Sequence, residues 1–245
     1  MANKLYDVLI IGGGPAGLAV ATGLVRQLHT ALVLDSGVYR NARTHHMHNV
    51  PGFDHADPAE FRAKARADLL RRYDTVQFQS ANITEVKKLD NGQFSARDEE
   101  GNVFQGKKLV LASGIKDIMP NIEGFGDCWA RGIFHCLFCH GFEERGGESA
   151  GLLAIDLMSN PTMALHVGNM ALQLAKTLTI YTNGDESTAA NITTALKPPS
   201  SMITVESRKI KKMAMASPDS DSADVVVTLE DGTQKTESFI VRSSP

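Results

Sequence analysis

Gly12-Gly13-Gly14-Pro15-Ala16-Gly17 stands between two segments of different apolar period, and how it is read decides the fold. Before it, Tyr6 to Ile11 is a short continuous apolar run, as in a strand buried on both faces of a parallel sheet. After it, Leu18 to Leu28 has helical apolar spacing, and Ala31 to Leu34 is a second apolar run ending in Asp35. Strand, glycine loop, helix and strand together match the dinucleotide-binding unit. Gly12 allows the tight turn, Gly14 lets backbone approach a pyrophosphate, and Gly17 lets the helix pack close to the strand. The helix start offers unpaired N–H groups and partial positive charge to that phosphate. Asp35, roughly twenty residues further on, stands where an acid can hydrogen-bond a ribose hydroxyl.

Outward from this unit, Thr44 to Asn49 holds three histidines but no cysteine or carboxylate cluster to complete a coordination sphere, so it reads as a polar loop near the cofactor. Pro58 to Tyr73 is expected to be a helix with an arginine-rich solvated face. Val76 to Val86, Gln93 to Asp98 and Val103 to Gln105 read as alternating strands joined at Asn91-Gly92 and Glu100-Gly101-Asn102. Lys108 to Ser113 reads as a further buried strand, ending in Ser113-Gly114. The plan then repeats: a strand over Ala150 to Ile155, a helix over Thr162 to Lys176, a strand over Leu178 to Tyr181. A meander follows over Ile203 to Met215, Asp224 to Leu229 and Lys235 to Val241. The expected class is α/β, with two Rossmann-like, three-layer ββα nucleotide-binding-type domains. In the second, the place of the phosphate loop reads Asp156-Leu157-Met158-Ser159-Asn160-Pro161, without glycine, and the next strand ends in acidic Asp185-Glu186. That domain is expected to have the fold without ordinary NADPH binding.

His135-Cys136-Leu137-Phe138-Cys139-His140 is the other marked stretch. A Cys-x-x-Cys pair followed by His suits a redox-active dithiol, half of a zinc site, or covalent haem attachment. Haem attachment calls for an export context that the first residues do not announce, and the zinc ligands would be crowded into one local stretch. The net charge of −3, from 25 basic and 28 acidic residues without a basic block, leaves no electrostatic footprint for nucleic acid. No apolar run approaches the ~20 residues of a membrane helix. With no secretory leader visible, the expected location is the cytoplasm, where the close pair of the three cysteines suits catalysis or metal binding rather than a disulfide framework. Cys128 and Trp129 read as packing.

Gly12 to Gly17, Asn49-Val50-Pro51-Gly52-Phe53, Leu111-Ala112-Ser113-Gly114 and Cys136-Leu137-Phe138-Cys139-His140-Gly141-Phe142-Glu143 resemble low-molecular-weight thioredoxin reductases. Within that family the sequence is most similar to the fungal flavin-dependent dithiol oxidases of the gliotoxin-oxidoreductase type, from epipolythiodioxopiperazine biosynthesis. Thioredoxin reductases carry an aspartate after the second cysteine, whereas this sequence has His140, as the oxidases do.

The resemblance implies FAD as cofactor, with Gly12, Gly14, Pro15, Ala16, Gly17, Asp35, Ser36, Arg40, His48, Asn49, Ser113 and Gly114 as its binding residues. It implies Cys136 as the outer cysteine exchanging with a small-molecule dithiol, Cys139 as the inner one passing electrons to flavin, and His140 as the base, with oxygen as acceptor and no metal. It also implies a homodimer. The expected division is an FAD-binding domain over 1–117 and an NADPH-domain-like module over 118–238. Residues 239–245 would begin a return to the FAD domain whose remainder is absent, a truncation at the C-terminus relative to the family. Two alternatives stand beside this: an NADPH-dependent thioredoxin-disulfide reductase, and an inactive paralogue that acts as a binding protein.

Overall fold

The computed structural model describes residues 4–219 and 222–242, and the protein divides into two compact units. One comprises the residues through Met47 together with Gly52–Lys116; the other comprises His48–Pro51 and the residues from Asp117 onward.

The first unit runs β1 (Leu5–Ile11), α1 (Pro15–Val25), β2 (Ala31–Asp35), α2 (Pro58–Arg72), β3 (Val76–Ser80), β4 (Ile83–Lys88), β5 (Phe94–Asp98) and β6 (Val103–Leu111). Its sheet has the order β3-β2-β1-β6-β5-β4, parallel from β3 to β6 and antiparallel from β6 to β4. The apolar run before the glycine loop becomes the central strand because both its faces are covered. Ile10 packs with Leu18, Ala21 and Val25 of α1 and Leu69 of α2 on one side. Leu9 packs with Leu32, Leu34 and Ala96 on the other. Burying a large aliphatic residue of this kind contributes about 1.5–3 kcal/mol by removing it from water. Helix α2 starts where Asp57 accepts a hydrogen bond from the Ala59 N–H at 2.6 Å with Pro58 in the first turn, and Arg71 and Arg72 meet the negative end of its dipole.

Two strands expected over Val103 to Gln105 and Lys108 to Ser113 are one, β6. Gly106 at its middle is not a break: a Cβ there would stand 2.7 Å from Leu9 Cγ, so the glycine lets β6 pack under the neighbouring strand. Conversely, the segment expected as one strand over Val76 to Val86 turns at Ala81 into β3 and β4.

The second unit runs α3 (Phe125–Cys128), β7 (Ile133–Phe134), α4 (Leu137–His140), β8 (Gly147–Leu153), α5 (Pro161–Ala171), β9 (Ala175–Tyr181), α6 (Glu186–Ala195), β10 (Ile203–Glu206), β11 (Ile210–Met215), β12 (Val225–Leu229), β13 (Gln234–Glu237) and β14 (Phe239–Val241). Its parallel sheet has the order β10-β9-β8-β14-β7. Residues from α5 and α6 cover one face, with Ala164, Ala171 and Ile192 against Leu152, Ile180 and Val241. The antiparallel sheet β11-β12-β13 covers the other, with Met213, Val225 and Val227 against Leu153, Tyr181 and Ile240. Three layers in the order β, β, α result, in line with the expected class.

Three expectations change here. Phe239–Val241 does not leave for the first unit; it is a strand inside this sheet, pairing Ile240 with Gly151 on one side and with Ile133 on the other. The last part of that expected return, residues 243–245, lies outside the described residues. The long strands expected over Ile203 to Met215 and Lys235 to Val241 each divide, at Ser207–Lys209 and at Ser238, because their two halves serve different sheets. Helix α6 is covered by no expected element. Asp185 caps it, accepting from Thr188 N at 2.9 Å and from the hydroxyls of Ser187 and Thr188, while Ala189 and Ile192 bury its inner face.

Candidate active site

At the carboxyl end of β1 the backbone turns through Gly12 at φ +108° and enters α1 with Pro15 in its first turn. Two of the loop's glycines are crowded by backbone and a third by the Asp35 side chain. A Cβ at Gly12 would lie 2.3 Å from Ala112 O, one at Gly13 2.3 Å from Asp35 Oδ2, and one at Gly17 1.9 Å from Gly12 O. Gly14 is different: nothing lies within 4 Å of where its Cβ would stand, and the helix start carries no side-chain cap. An open cradle therefore faces the first N–H groups of α1, which an α-helix leaves without internal partners.

Asp35, at the end of β2, lies against this loop. Its Oδ1 accepts from the N–H groups of Gly13 and Gly37, both at 3.2 Å, and its Oδ2 accepts from the Tyr39 hydroxyl at 2.5 Å. Ser36 follows it, exposed. Arg40 opens a single 3-10 turn over Arg40–Arg43, and Ala112 brings Ser113 beside Gly12, with Gly114 (φ +70°) following it in the chain. Pro15, Ala16 and the residues just named thus share one unit with the glycine loop. His48 and Asn49, expected among the same residues, are placed instead with the cysteine segment of the second unit. His48 Nε2 lies 3.3 Å from Glu143 Oε1, and the Asn49 side-chain amide donates to Phe138 O at 2.8 Å.

Cys136 and Cys139 form a disulfide across the single turn of α4, their Cα atoms 5.3 Å apart. Leu137 between them packs into the core of the second unit, whereas Phe138 is turned outward and exposed. The turn sits close against its support, since a Cβ at Gly141 would meet Leu137 O at 2.4 Å and Leu174 Cδ1 at 2.6 Å. His140 closes the turn. Its ring lies parallel to that of Phe134, centroids 5.1 Å apart, and both ring nitrogens are buried without a hydrogen-bond partner. Burial, with His135 and His48 nearby, holds its pKa below the ordinary histidine value against the opposing pull of Glu143. The imidazole is consequently neutral at pH 7, with a lone pair for a proton.

Glu144, in the turn that follows, is not among the residues the sequence motifs mark. Burial, then Glu143 and Asp224, raise its carboxyl to about 7. Glu143 is visible beside it in the sequence, but the burial and the approach of Asp224, just before β12, are not. Cys128 is buried and its thiol is pushed up to about 11, chiefly by burial, which suits packing and not redox exchange.

The corresponding end of the second unit is built differently. Asn160 caps α5, its Oδ1 accepting from Thr162 N at 3.0 Å and Met163 N at 3.3 Å. Asp156, just past β8, pairs with Arg242, just past β14, at 2.9 Å, and Arg242 also donates to Ile118 O. The Arg242 side chain is 2% exposed.

In comparison with known proteins, the model of the pyridine nucleotide-disulphide oxidoreductase family matches residues 6–179. The chain belongs to that family. Among its relatives, the thioredoxin reductase aclD of Aspergillus oryzae is 48% identical over 99% of this chain and 76% of its own length. The thioredoxin reductase tcpT of Claviceps purpurea is 42% identical over 99% of this chain and 74% of its own. An oxidoreductase of Agrobacterium tumefaciens has a similar solved structure, with 29% identity, a TM-score of 0.80 and coverage of 97% of this chain and 74% of that one. The pyridine nucleotide-disulphide oxidoreductases of this thioredoxin-reductase-like group are FAD-binding flavoproteins. The first unit fits that cofactor, because its cradle at Gly14 is open, its helix start is uncapped and Asp35 is held at the loop. No helix among the described residues is long and apolar enough to cross a membrane.

Proposed function

We propose that this oxidoreductase uses Cys136 and Cys139 to oxidise the dithiol of a small secondary metabolite to a disulfide, with oxygen as the final electron acceptor. The observation that carries the choice over an NADPH-dependent thioredoxin reductase is the self-closed nucleotide end of the second unit. There the α5 amides are taken by Asn160 and the loop acid Asp156 is paired with Arg242, so neither that helix start nor that guanidinium is left to hold a dinucleotide phosphate.

In this reading a substrate thiolate attacks Cys136 Sγ, the Cys136–Cys139 bond breaks, and Cys139 leaves as thiolate. The second substrate thiol then attacks the sulfur bound to Cys136, closing the product disulfide and releasing Cys136 as thiolate. His140 accepts the proton from the attacking thiol, a role suited to its neutral, buried imidazole. A thiol of pKa about 8.5 is only ~3% thiolate at pH 7, so a base beside the pair matters. When bound, FAD supplies the two-electron acceptor that regenerates the disulfide and passes the electrons to oxygen. Gly12, Gly14, Pro15, Ala16 and Gly17 would hold its pyrophosphate and Asp35 its ribose. Ser36, Arg40, Ser113 and Gly114, in the same unit, complete the set assigned there.

We further assign residues 1–117 to an FAD-binding domain and the chain from residue 118 through β14 to an NADPH-domain-like module, and take the protein to be a cytoplasmic homodimer. The experiment that separates the readings is oxygen consumption with a small dithiol set against NADPH consumption with thioredoxin. Oxygen uptake with silent NADPH supports the oxidase; the reverse supports the reductase.

A further inference from the structure

We infer that Tyr39 is the positioning residue that fixes Asp35 for a ribose hydroxyl. A carboxylate at the end of a strand can rotate about two side-chain bonds, and a glycine loop alone restrains only part of that freedom. Here Oδ1 is held by the Gly13 and Gly37 amides, but Oδ2 has the Tyr39 hydroxyl, at 2.5 Å, as its protein donor. Tyr39 is itself clamped. The Arg62 guanidinium lies over its ring at 3.9 Å and also donates to Asn41 Oδ1 at 3.1 Å, tying the tyrosine to helix α2 and to the turn that follows it.

The coupling extends into the phosphate loop. The space beside Gly13 is occupied by Asp35 itself, with Oδ2 2.3 Å and Cγ 2.5 Å from where a Cβ would stand. Rotation of the carboxylate would thus abandon the Gly13 amide as well. An acid oxygen has room for more than one donor, so Tyr39 can hold Oδ2 while a ribose hydroxyl also binds it. The series Arg62–Tyr39–Asp35–Gly13 makes one pre-set unit of α2, β2 and the glycine loop.

The test uses the full-length protein freed of flavin, with ADP and 2′-deoxy-ADP as probes in titration calorimetry, alongside FAD. The wild type should bind ADP more tightly than the deoxy analogue. Tyr39→Phe, which keeps the ring and the Arg62 contact, should weaken ADP and FAD about tenfold and bind ADP and 2′-deoxy-ADP alike. Arg62→Gln should show a smaller loss in the same direction. A Tyr39→Phe protein that keeps wild-type affinity and discrimination overturns the proposal. So does one that weakens both probes equally, which would mark a purely structural residue. A wild type that binds neither probe, or binds both alike, overturns instead the assignment of Asp35 to ribose, and Tyr39 falls with it.

Discussion

The imidazole of His140 stacks on the ring of Phe134 with the two planes 3° apart, while both its nitrogens are buried without a partner. The stacking fixes the ring beside Cys139 without using its proton-accepting atoms, and burial favours the neutral form. In the proposed reaction this keeps a base next to a disulfide that receives a thiolate.

His140→Gln should retain the disulfide and the fold yet lower dithiol turnover about a hundredfold or more at pH 7. The deficit should shrink at pH 9, where substrate thiols ionise unaided. Stopped-flow measurement of disulfide reduction by dithiothreitol across pH checks this. A uniform loss at all pH values would contradict a base role.

The same burial has a consequence for stability. The folded state holds the His140 proton less tightly than the unfolded state, so the unfolded state binds more protons and stability falls as the pH drops below the ordinary histidine value of 6.5. Glu144 acts in the opposite sense. Its folded pKa of about 7 lies above the usual 4.5, so the stability it costs appears as pH rises from 4.5 and is complete above about 7. Glu144→Gln should therefore raise the melting temperature at pH 8 and leave it unchanged at pH 4, as read by calorimetry at both pH values.

The glycine loop predicts a contrast between neighbouring positions. Gly17→Ala would drive a Cβ into Gly12 O and should destabilise the fold by about 1–3 kcal/mol. Gly14→Ala meets no protein atom and its backbone is extended, so the fold should be untouched while FAD affinity falls, because the added methyl enters the cradle. Denaturant unfolding and flavin fluorescence separate the two outcomes.

At the second unit's nucleotide end, Asp156→Ala removes one partner of the buried Arg242 guanidinium. A loss of about 2 kcal/mol is expected, below the cost of breaking a fully buried pair because Asp156 is 44% exposed. NADPH should not quench protein fluorescence in the wild type.

Much of this was legible in the sequence wherever one physical demand acts locally. The strand before Gly12, the helix after it and Asp35 are all dictated by the crowding that the glycines relieve, and the Cys136–Cys139 pair announces itself by spacing. Long-range demands were not legible. Gly106 looks like a strand break until Leu9 is seen above it. Phe239–Val241 belongs in the second sheet because β7 and β8 leave a gap between them, which no local pattern records. Asp185 and Glu186 read as features hostile to NADP; the same acids also start α6, with Asp185 as its cap. His48 and Asn49 read as cofactor residues near the glycine loop, yet both are tied to the turn that carries the cysteines.

The most direct measurement is oxygen uptake by the FAD-loaded protein with a small dithiol, for wild type and Cys139→Ser, with NADPH and thioredoxin as the parallel assay. The wild type should consume oxygen, Cys139→Ser should lose that activity while retaining bound flavin, and neither should oxidise NADPH. NADPH oxidation coupled to thioredoxin, without dithiol-dependent oxygen uptake, would contradict the oxidase reading.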